Sequence, residues 1–104
     1  MTATNQQILT AEFAEKAATI LRTLAHPVRL QIIEGIKTGE KSVSNIMRET
    51  NLSQTTCSQH LGLMRDRGLL RARRDGTSVY YSVAHPLVTK VFNCIRICIT
   101  NGEK

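Results

Sequence analysis

Apolar residues recur at helical spacing along most of this chain and alternate with polar ones in a single short stretch. Spacings of three and four residues predict helices over 10–25, 27–38, 43–50, 54–67 and 86–100. Val79, Tyr81 and Val83 alternate with serines and a tyrosine, which predicts a half-buried strand over 77–83. Its antiparallel partner is predicted over 70–74, so the order is four helices, a hairpin and a last helix.

Capping and turn residues mark the predicted element ends. Thr10 and Ser53 are placed to cap helices, and Pro27 suits a first helical turn. Gly68 is expected to end helix 54–67 in the left-handed conformation, and Asp75-Gly76 is a strong hairpin signal. The fold class is therefore mostly α with a β-hairpin wing: a winged helix-turn-helix of order α-α-α-α-β-β-α. We expect one domain over 1–104, with residues 1–9 disordered.

The charge balance favours a polyanionic partner. The chain carries 14 Lys and Arg against 8 Asp and Glu, a net charge of +6. In a small basic chain, nucleic acid is preferred over a membrane surface as that partner. No apolar run approaches the ~20 residues needed to span a bilayer. The N-terminus lacks a basic segment followed by an apolar one, and three cysteines make an odd number. Both features predict a cytoplasmic protein with reduced thiols.

The predicted helix 54–67 has the composition of a DNA-reading helix. Cys57, Leu61 and Met64 lie on its core side, and small polar residues occupy the other side. Glutamine can bond adenine edges, and arginines on the adjoining hairpin can follow phosphates. The predicted DNA-binding residues are Gln54, Thr55, Thr56, Ser58, Gln59, His60, Arg65, Arg71, Arg73 and Arg74. The alternatives are a solvated helix face and a winged helix that binds protein.

Four motifs in order give the chain a family resemblance over about residues 13–100. They are Leu24-Ala-His-Pro-Val-Arg-Leu30, Leu52-Ser-Gln-x-x-x-Ser-Gln-His-Leu61, Met64-Arg-x-x-Gly-Leu69 and Arg73-Arg-Asp-Gly-x-x-x-Tyr-Tyr-Ser82. The chain resembles the ArsR/SmtB repressors. That resemblance implies a dimeric cytosolic repressor that leaves its operator when it meets an inducer. It also implies that the first and last helices, 10–25 and 86–100, build the dimer.

The last helix supports a dimer independently of the resemblance. Its apolar residues form two adjacent stripes, namely Leu87, Val91, Cys94 and Cys98, and Val88, Phe92, Ile95 and Ile99. A helix apolar over so much of its circumference needs both its own domain and a partner. A two-fold dimer would bind an inverted repeat with half-sites about one helical turn apart.

Cys94 and Cys98 are one helical turn apart, which can present two thiolates to one soft ion. They are the predicted sensing and metal-binding residues, with His85 as a candidate additional ligand. The resemblance narrows the choice of inducer site. Leu87 stands where zinc-type sensors have a ligand, and residues 28–37 contain no Cys, whereas the arsenic and cadmium branch often has a Cys-x-Cys-type motif there. Glu34 stands where the persulfide-sensing branch has its first Cys. The alternative is that Cys94 and Cys98 are apolar packing residues, as Cys57 is predicted to be.

The predicted function is a DNA-binding repressor that binds an inverted-repeat operator as a homodimer. The predicted inducer is thiophilic or thiol-reactive: a soft metal or metalloid ion, or a reactive sulfur or oxygen species. No cofactor is required in this prediction, and no membrane partner is expected. The alternative is a winged-helix repressor with structural cysteines and an unrelated inducer or none. An enzyme is not predicted, because the chain has no nucleophile elbow and no Gly-rich phosphate loop.

Overall fold

The computed structural model describes residues 10–102 and confirms the winged helix-turn-helix architecture. The elements are α1 (Ala11–Leu24), α2 (Pro27–Ile36), β1 (Lys41–Ser42), α3 (Val43–Thr50), α4 (Gln54–Asp66), β2 (Leu70–Asp75), β3 (Ser78–Val83) and α5 (Pro86–Gly102). The predicted order is confirmed, with one strand added. The predicted disorder of 1–9 lies outside the described residues.

The added strand, β1, joins the helix-turn-helix to the wing. Lys41 and Ser42 pair antiparallel with Tyr81 and Tyr80, which gives a three-stranded sheet of order β1-β3-β2. Two residues are too few to show a period of two, so the hydrophobic pattern does not reveal this strand. Ser42 also caps α3, because its Oγ accepts a hydrogen bond from Asn45 N at 3.1 Å. The wing and the start of α3 are therefore fixed to each other.

The predicted caps of α1 and α4 are confirmed. Thr10 Oγ1 accepts from Phe13 N at 3.1 Å, and Ser53 Oγ accepts from Thr56 N at 3.2 Å. Each hydroxyl satisfies a backbone donor that has no partner within its helix. Between α3 and α4, Asn51 adopts a left-handed φ of 61° and makes the tight turn of the motif. Gly68 closes the loop after α4 at φ 82°, in the predicted conformation.

The turn of the wing lies one residue later than the sequence suggested. Asp75 pairs with Ser78, so the loop is Gly76-Thr77 rather than Asp75-Gly76. Gly76 has φ 65°, and Thr77 does not share the positive φ. This is the type II′ arrangement, in which glycine takes the first loop position and the turn follows the twist of the strands.

One apolar core joins the helix-turn-helix to the sheet. Its buried members are Ile20, Leu24, Ile32, Ile33, Ile36, Ile46, Cys57, Leu61, Met64, Leu69, Leu70, Tyr81 and Val88. The predicted core side of α4 is confirmed by Cys57, Leu61 and Met64, each of which is fully buried. The face of α4 opposite this core side is exposed to solvent. None of the helices over 10–102 has the length and apolar character needed to cross a membrane.

The last helix buries apolar residues against the domain only along its first half, and beyond that half Arg96 hydrogen-bonds to Glu34 of α2. Val88 is buried and Val91 and Phe92 are half-buried, whereas every residue from 93 to 102 is exposed. Ile95, Ile97 and Ile99 are exposed by 43%, 58% and 56%. In the single chain, the second half of α5 is therefore a helical segment whose apolar side chains are not covered by the domain.

Candidate nucleic-acid interface

Helix α4 carries polar residues on the face opposite its core side and on the two flanks beside that face. With about 100° between successive residues, Thr55 and Gln59 point almost directly away from the core side of the helix. Both are exposed. Gln54, Ser58 and Arg65 flank them on one side, and all three are also exposed. The amides and hydroxyls of the first turns are thus available to a groove of DNA, at the end of the helix that recognition helices use.

A hydroxyl-rich cleft, which we call the wing groove, separates α4 from the hairpin. Its volume is about 480 Å³. The lining residues are Ser42, Val43, Ser44, Met47, Gln54, Ser58, Thr77, Ser78, Val79, Tyr80 and Tyr81. Hydroxyls and backbone groups are common phosphate and base-edge partners. Gln54 and Ser58 therefore share one surface with the tip of the wing.

Two predicted DNA contacts, Thr56 and His60, lie on the opposite flank of α4 and are half-buried. The Thr56 hydroxyl accepts a hydrogen bond from the Ser53 hydroxyl at 3.1 Å, within the helix cap. His60 Nδ1 accepts from Arg29 Nε at 3.2 Å. That nitrogen is directed into the protein, so it is not available to DNA.

The three wing arginines differ in what they contact. Arg73 lies beside Tyr80 on β3, and its guanidinium carbon is 4.7 Å from the centre of that ring. Arg73 Nε also bonds both carboxylate oxygens of Glu40, at 3.1 and 3.2 Å. This hydrogen bonding lowers the pKa of Glu40 and raises the pKa of Arg73. Arg71 and Arg74 are exposed and form no ion pair within residues 10–102.

Arg65, at the end of α4, is exposed and bonds its neighbour Asp66. Its Nε and Nη2 donate to Asp66 Oδ1 at 3.3 and 3.1 Å, which raises the pKa of Arg65. An exposed pair between adjacent residues contributes little to stability and can be exchanged for a phosphate. Arg65 therefore stays available at the edge of the wing groove.

The cysteines fall into two environments. Cys57 is fully buried beneath α4, and burial raises the pKa of its thiol, which agrees with the predicted packing role. Cys94 and Cys98 are both exposed, on the part of α5 that extends past the domain. In the single chain these two thiols are not core residues.

The structure does not bring His85 to the thiols within one chain. His85 Nδ1 accepts from Leu87 N at 3.2 Å and so caps the start of α5. Cys94 follows nine positions after His85, roughly 13 Å along a helix that rises 1.5 Å per residue. Among residues 10–102, no three His, Cys, Asp or Glu side chains lie together as a metal site.

Arg29, His26 and Glu40 were not among the predicted site residues, although each contacts one of them. The rings of His26 and His60 meet edge to face with centroids 4.7 Å apart. Arg29 is 31 residues from His60 and Glu40 is 33 residues from Arg73. No local pattern could reveal contacts across such separations.

Comparison with known proteins identifies a helix-turn-helix domain over residues 24–73, which runs from the end of α1 into β2. The biofilm growth-associated repressor of Xylella fastidiosa is 31% identical over 91 residues, covering 88% of this chain and 80% of that protein. The nodulation protein NolR of Rhizobium meliloti is 36% identical over 84 residues, covering 81% and 69%.

Solved structures show the same architecture. The homodimeric winged helix-turn-helix DNA-binding domain of Mb0332 from Mycobacterium bovis, described as a possible ArsR-family regulator, superimposes with a TM-score of 0.80. It is 32% identical, and the match covers 88% of this chain and 85% of that one.

Proposed function

The chain belongs to the ArsR/SmtB-like family of winged helix-turn-helix, DNA-binding transcriptional regulators, and from that premise we propose how it works. It binds an inverted-repeat operator as a homodimer and represses transcription. It leaves the operator when a thiophilic or thiol-reactive inducer acts at Cys94 and Cys98. The exposed pair of thiols on the uncovered half of α5 is the observation that carries the inducer proposal.

The DNA contacts follow from the exposed surface of α4 and the wing. Gln54, Thr55, Ser58 and Gln59 enter the major groove, where glutamine can pair with adenine through two bonds. Arg65, Arg71 and Arg74 bind phosphates, because they are exposed on α4 and on the adjoining hairpin. The net charge of +6 adds a long-range attraction to the same partner.

The homodimer is supported by the apolar surface that the single chain leaves open. Phe13 and Leu21 of α1 are exposed by 49% and 53%, and Ile97 and Ile99 of α5 by more than half. Apolar side chains exposed together mark an interaction surface. The related Mb0332 domain is homodimeric. We therefore assign the dimer interface to α1 and α5.

The thiol pair lies within this region, which gives an inducer a way to act on DNA binding. Cys94 and Cys98 are about 5–6 Å apart at Cβ by helical geometry, too far for a disulfide within one helix. One soft ion can be held by both sulfurs, and thiols from the partner subunit can complete its coordination. Ligation or oxidation there changes the angle between subunits, so both α4 helices no longer fit successive major grooves. A coupling of ~1–3 kcal/mol corresponds to a 5–150-fold loss of affinity.

The testing experiment is an operator-binding titration of the reduced protein by fluorescence anisotropy. Cd(II), Zn(II), As(III), a persulfide and hydrogen peroxide are added in parallel. We expect one of these agents to release the wild type and to fail with Cys94→Ser and Cys98→Ser. Cys57→Ala is the matched control and keeps its response, because that thiol is buried in the core.

A repressor with structural cysteines is the alternative. Such a repressor binds its operator normally, and none of the five agents releases it. The double variant Cys94→Ser/Cys98→Ser then has the same operator affinity and response as the wild type. The dimer proposal has its own test, since Ile97→Glu should give a monomer in analytical ultracentrifugation and weaken operator binding. A protein that stays dimeric after this change would refute the assigned interface.

A further inference from the structure

A polar cluster lies where the end of α1, the start of α2 and the middle of α4 meet. Arg29 is at its centre: Nε donates to His60 Nδ1 at 3.2 Å, and Nη1 donates to the Thr23 carbonyl at 3.0 Å. The ring of His26 contacts the ring of His60 edge to face. Arg67, just after α4, donates to Thr23 Oγ1 at 3.1 Å. We call these five residues the hinge cluster.

The donors in this cluster determine which proton each imidazole carries. Because the Arg29 guanidinium is always protonated, His60 Nδ1 can accept its bond only when that nitrogen has no proton. The neutral His60 ring therefore carries its proton on Nε2. His26 Nδ1 likewise accepts from Val28 N, at 3.1 Å, as the cap of α2. Both hydrogen bonds require an unprotonated Nδ1.

The ionisable groups that act on His60 within residues 10–102 are the Arg29 guanidinium and the His26 imidazole. Arg29 and His26 face it from α2, and Arg67 follows at the end of α4. The end of α1 supplies only the Thr23 carbonyl and hydroxyl. No carboxylate bonds to these five side chains within residues 10–102. Burial, the charge of His26 and the charge of Arg29 together lower the pKa of His60.

We propose that His26 and Arg29 are positioning residues for DNA binding, which act through His60 to hold α4 at the orientation the operator requires. This rests on the proposed DNA-contacting role of α4. The cluster is the polar link between that helix and the α1–α2 junction, and it forms only with neutral imidazoles. Protonation of His60 removes the acceptor of Arg29 and brings two positive charges into contact.

The direction of the pH effect distinguishes this role from plain electrostatics. Added positive charge by itself strengthens attraction to phosphates as the pH falls. Loss of the hinge cluster weakens operator binding instead. The folded-state pKa of His60 lies below its ordinary value of about 6.5, so the unfolded chain binds more protons in this range. The contribution of His60 to stability is thus complete above about pH 6.5 and is lost as the pH falls through the folded pKa.

The experiment measures the Kd of the full chain for an operator duplex between pH 7.5 and 5.0 at constant ionic strength. The wild type should lose at least about threefold in affinity over that range. Asparagine can replace each Nδ1 acceptor with a side-chain oxygen that does not titrate. The variant His26→Asn/His60→Asn should bind like the wild type at pH 7.5 and show a flat profile. Arg29→Gln should already have the weakened affinity at pH 7.5.

His85→Asn is the matched control, because His85 is the third of three histidines and caps α5 without a hydrogen bond to the five cluster residues within 10–102. Its pH profile should equal that of the wild type. Wild-type affinity that stays constant or rises on acidification would overturn the proposal. So would a decrease that persists unchanged in the double asparagine variant.

A second measurement covers the case in which the asparagine variants fail to fold. Nitrogen-15 NMR of the imidazoles should find the His60 proton on Nε2, with a titration midpoint below the ordinary histidine value of about 6.5. A proton on Nδ1, or a midpoint at or above that ordinary value, would overturn the cluster. Absence of operator binding at pH 7.5 would instead refute the proposed function, and the NMR result would still decide the cluster by itself.

Discussion

Gly62 offers a substitution whose effects on stability and on DNA binding should have opposite signs. It lies in the interior of α4, on the exposed side between Ser58 and Gln59 in angular position. A Cβ placed there would meet no protein atom within 4 Å. Glycine inside a helix costs about 1 kcal/mol relative to alanine. Gly62→Ala should therefore stabilise the fold by up to about 1 kcal/mol, which raises Tm by roughly 4 °C for a domain of this size.

The same methyl group occupies the surface that we assign to DNA. A major groove that closes on α4 must make room for it, either by moving the helix outward or by losing neighbouring contacts of Ser58 and Gln59. We expect operator affinity to fall about tenfold, which equals about 1.4 kcal/mol. A more stable protein that binds DNA less well is an outcome that general damage to the fold does not produce.

The assays are thermal unfolding by circular dichroism and operator binding by fluorescence anisotropy. Gly35→Ala on α2 is the control, because its Cβ would meet only the flexible end of Glu49, 2.9 Å away, on the side of the domain next to α5. The control should leave operator affinity unchanged. An unchanged Kd for Gly62→Ala would refute close approach of DNA to this face of α4. A lowered Tm would refute the open space that the structure shows there.

The other predictions concern charges and a buried thiol. Glu40→Gln frees the Arg73 guanidinium, so operator binding should tighten and the slope of log affinity against log salt should steepen by about one. A weaker complex would mean that the Arg73–Glu40 pair only stabilises the position of the wing. Glu34 on α2 is hydrogen-bonded to Arg96, which lies between the two exposed thiols of α5 along the chain. Glu34→Gln should therefore preserve inducer binding, measured by calorimetry, and reduce the fold-release from DNA; full release would exclude this link. Cys57→Ser places a hydroxyl in the apolar core and should lower the free energy of unfolding by about 1–3 kcal/mol in urea titrations, with release unaltered.

Local sequence patterns predict the elements around α4 well, because the relevant physics is local. Ser53 and Gly68 mark its ends within one turn, and Cys57, Leu61 and Met64 repeat at helical spacing. The polar side of the helix follows from the same periodicity. These residues need no distant contact to be recognised.

The roles of His60 and Arg73 could not be predicted, because their partners are distant in sequence. Both residues were predicted to contact DNA, and the structure also gives each a partner within the protein: Arg29 for His60 and Glu40 for Arg73. Only the fold brings α2 beside α4, and only the short strand β1 brings Glu40 beside the wing. A charged residue on a predicted surface therefore indicates that the residue can form an ion pair or hydrogen bond. The sequence alone does not show whether its partner is DNA or another part of the protein.

The uncovered half of α5 also affects how the protein responds to its own abundance. If two chains must dimerise through that surface before both α4 helices can bind DNA, the homodimer is the DNA-binding species. Its concentration then rises with the square of the monomer concentration when monomers predominate. Operator occupancy then changes more steeply than protein level, so a modest dilution at cell division would release the promoter more than proportionally. Apparent thermal stability would depend on protein concentration for the same reason. A length of helix that a single chain leaves exposed can thus set a threshold for gene expression.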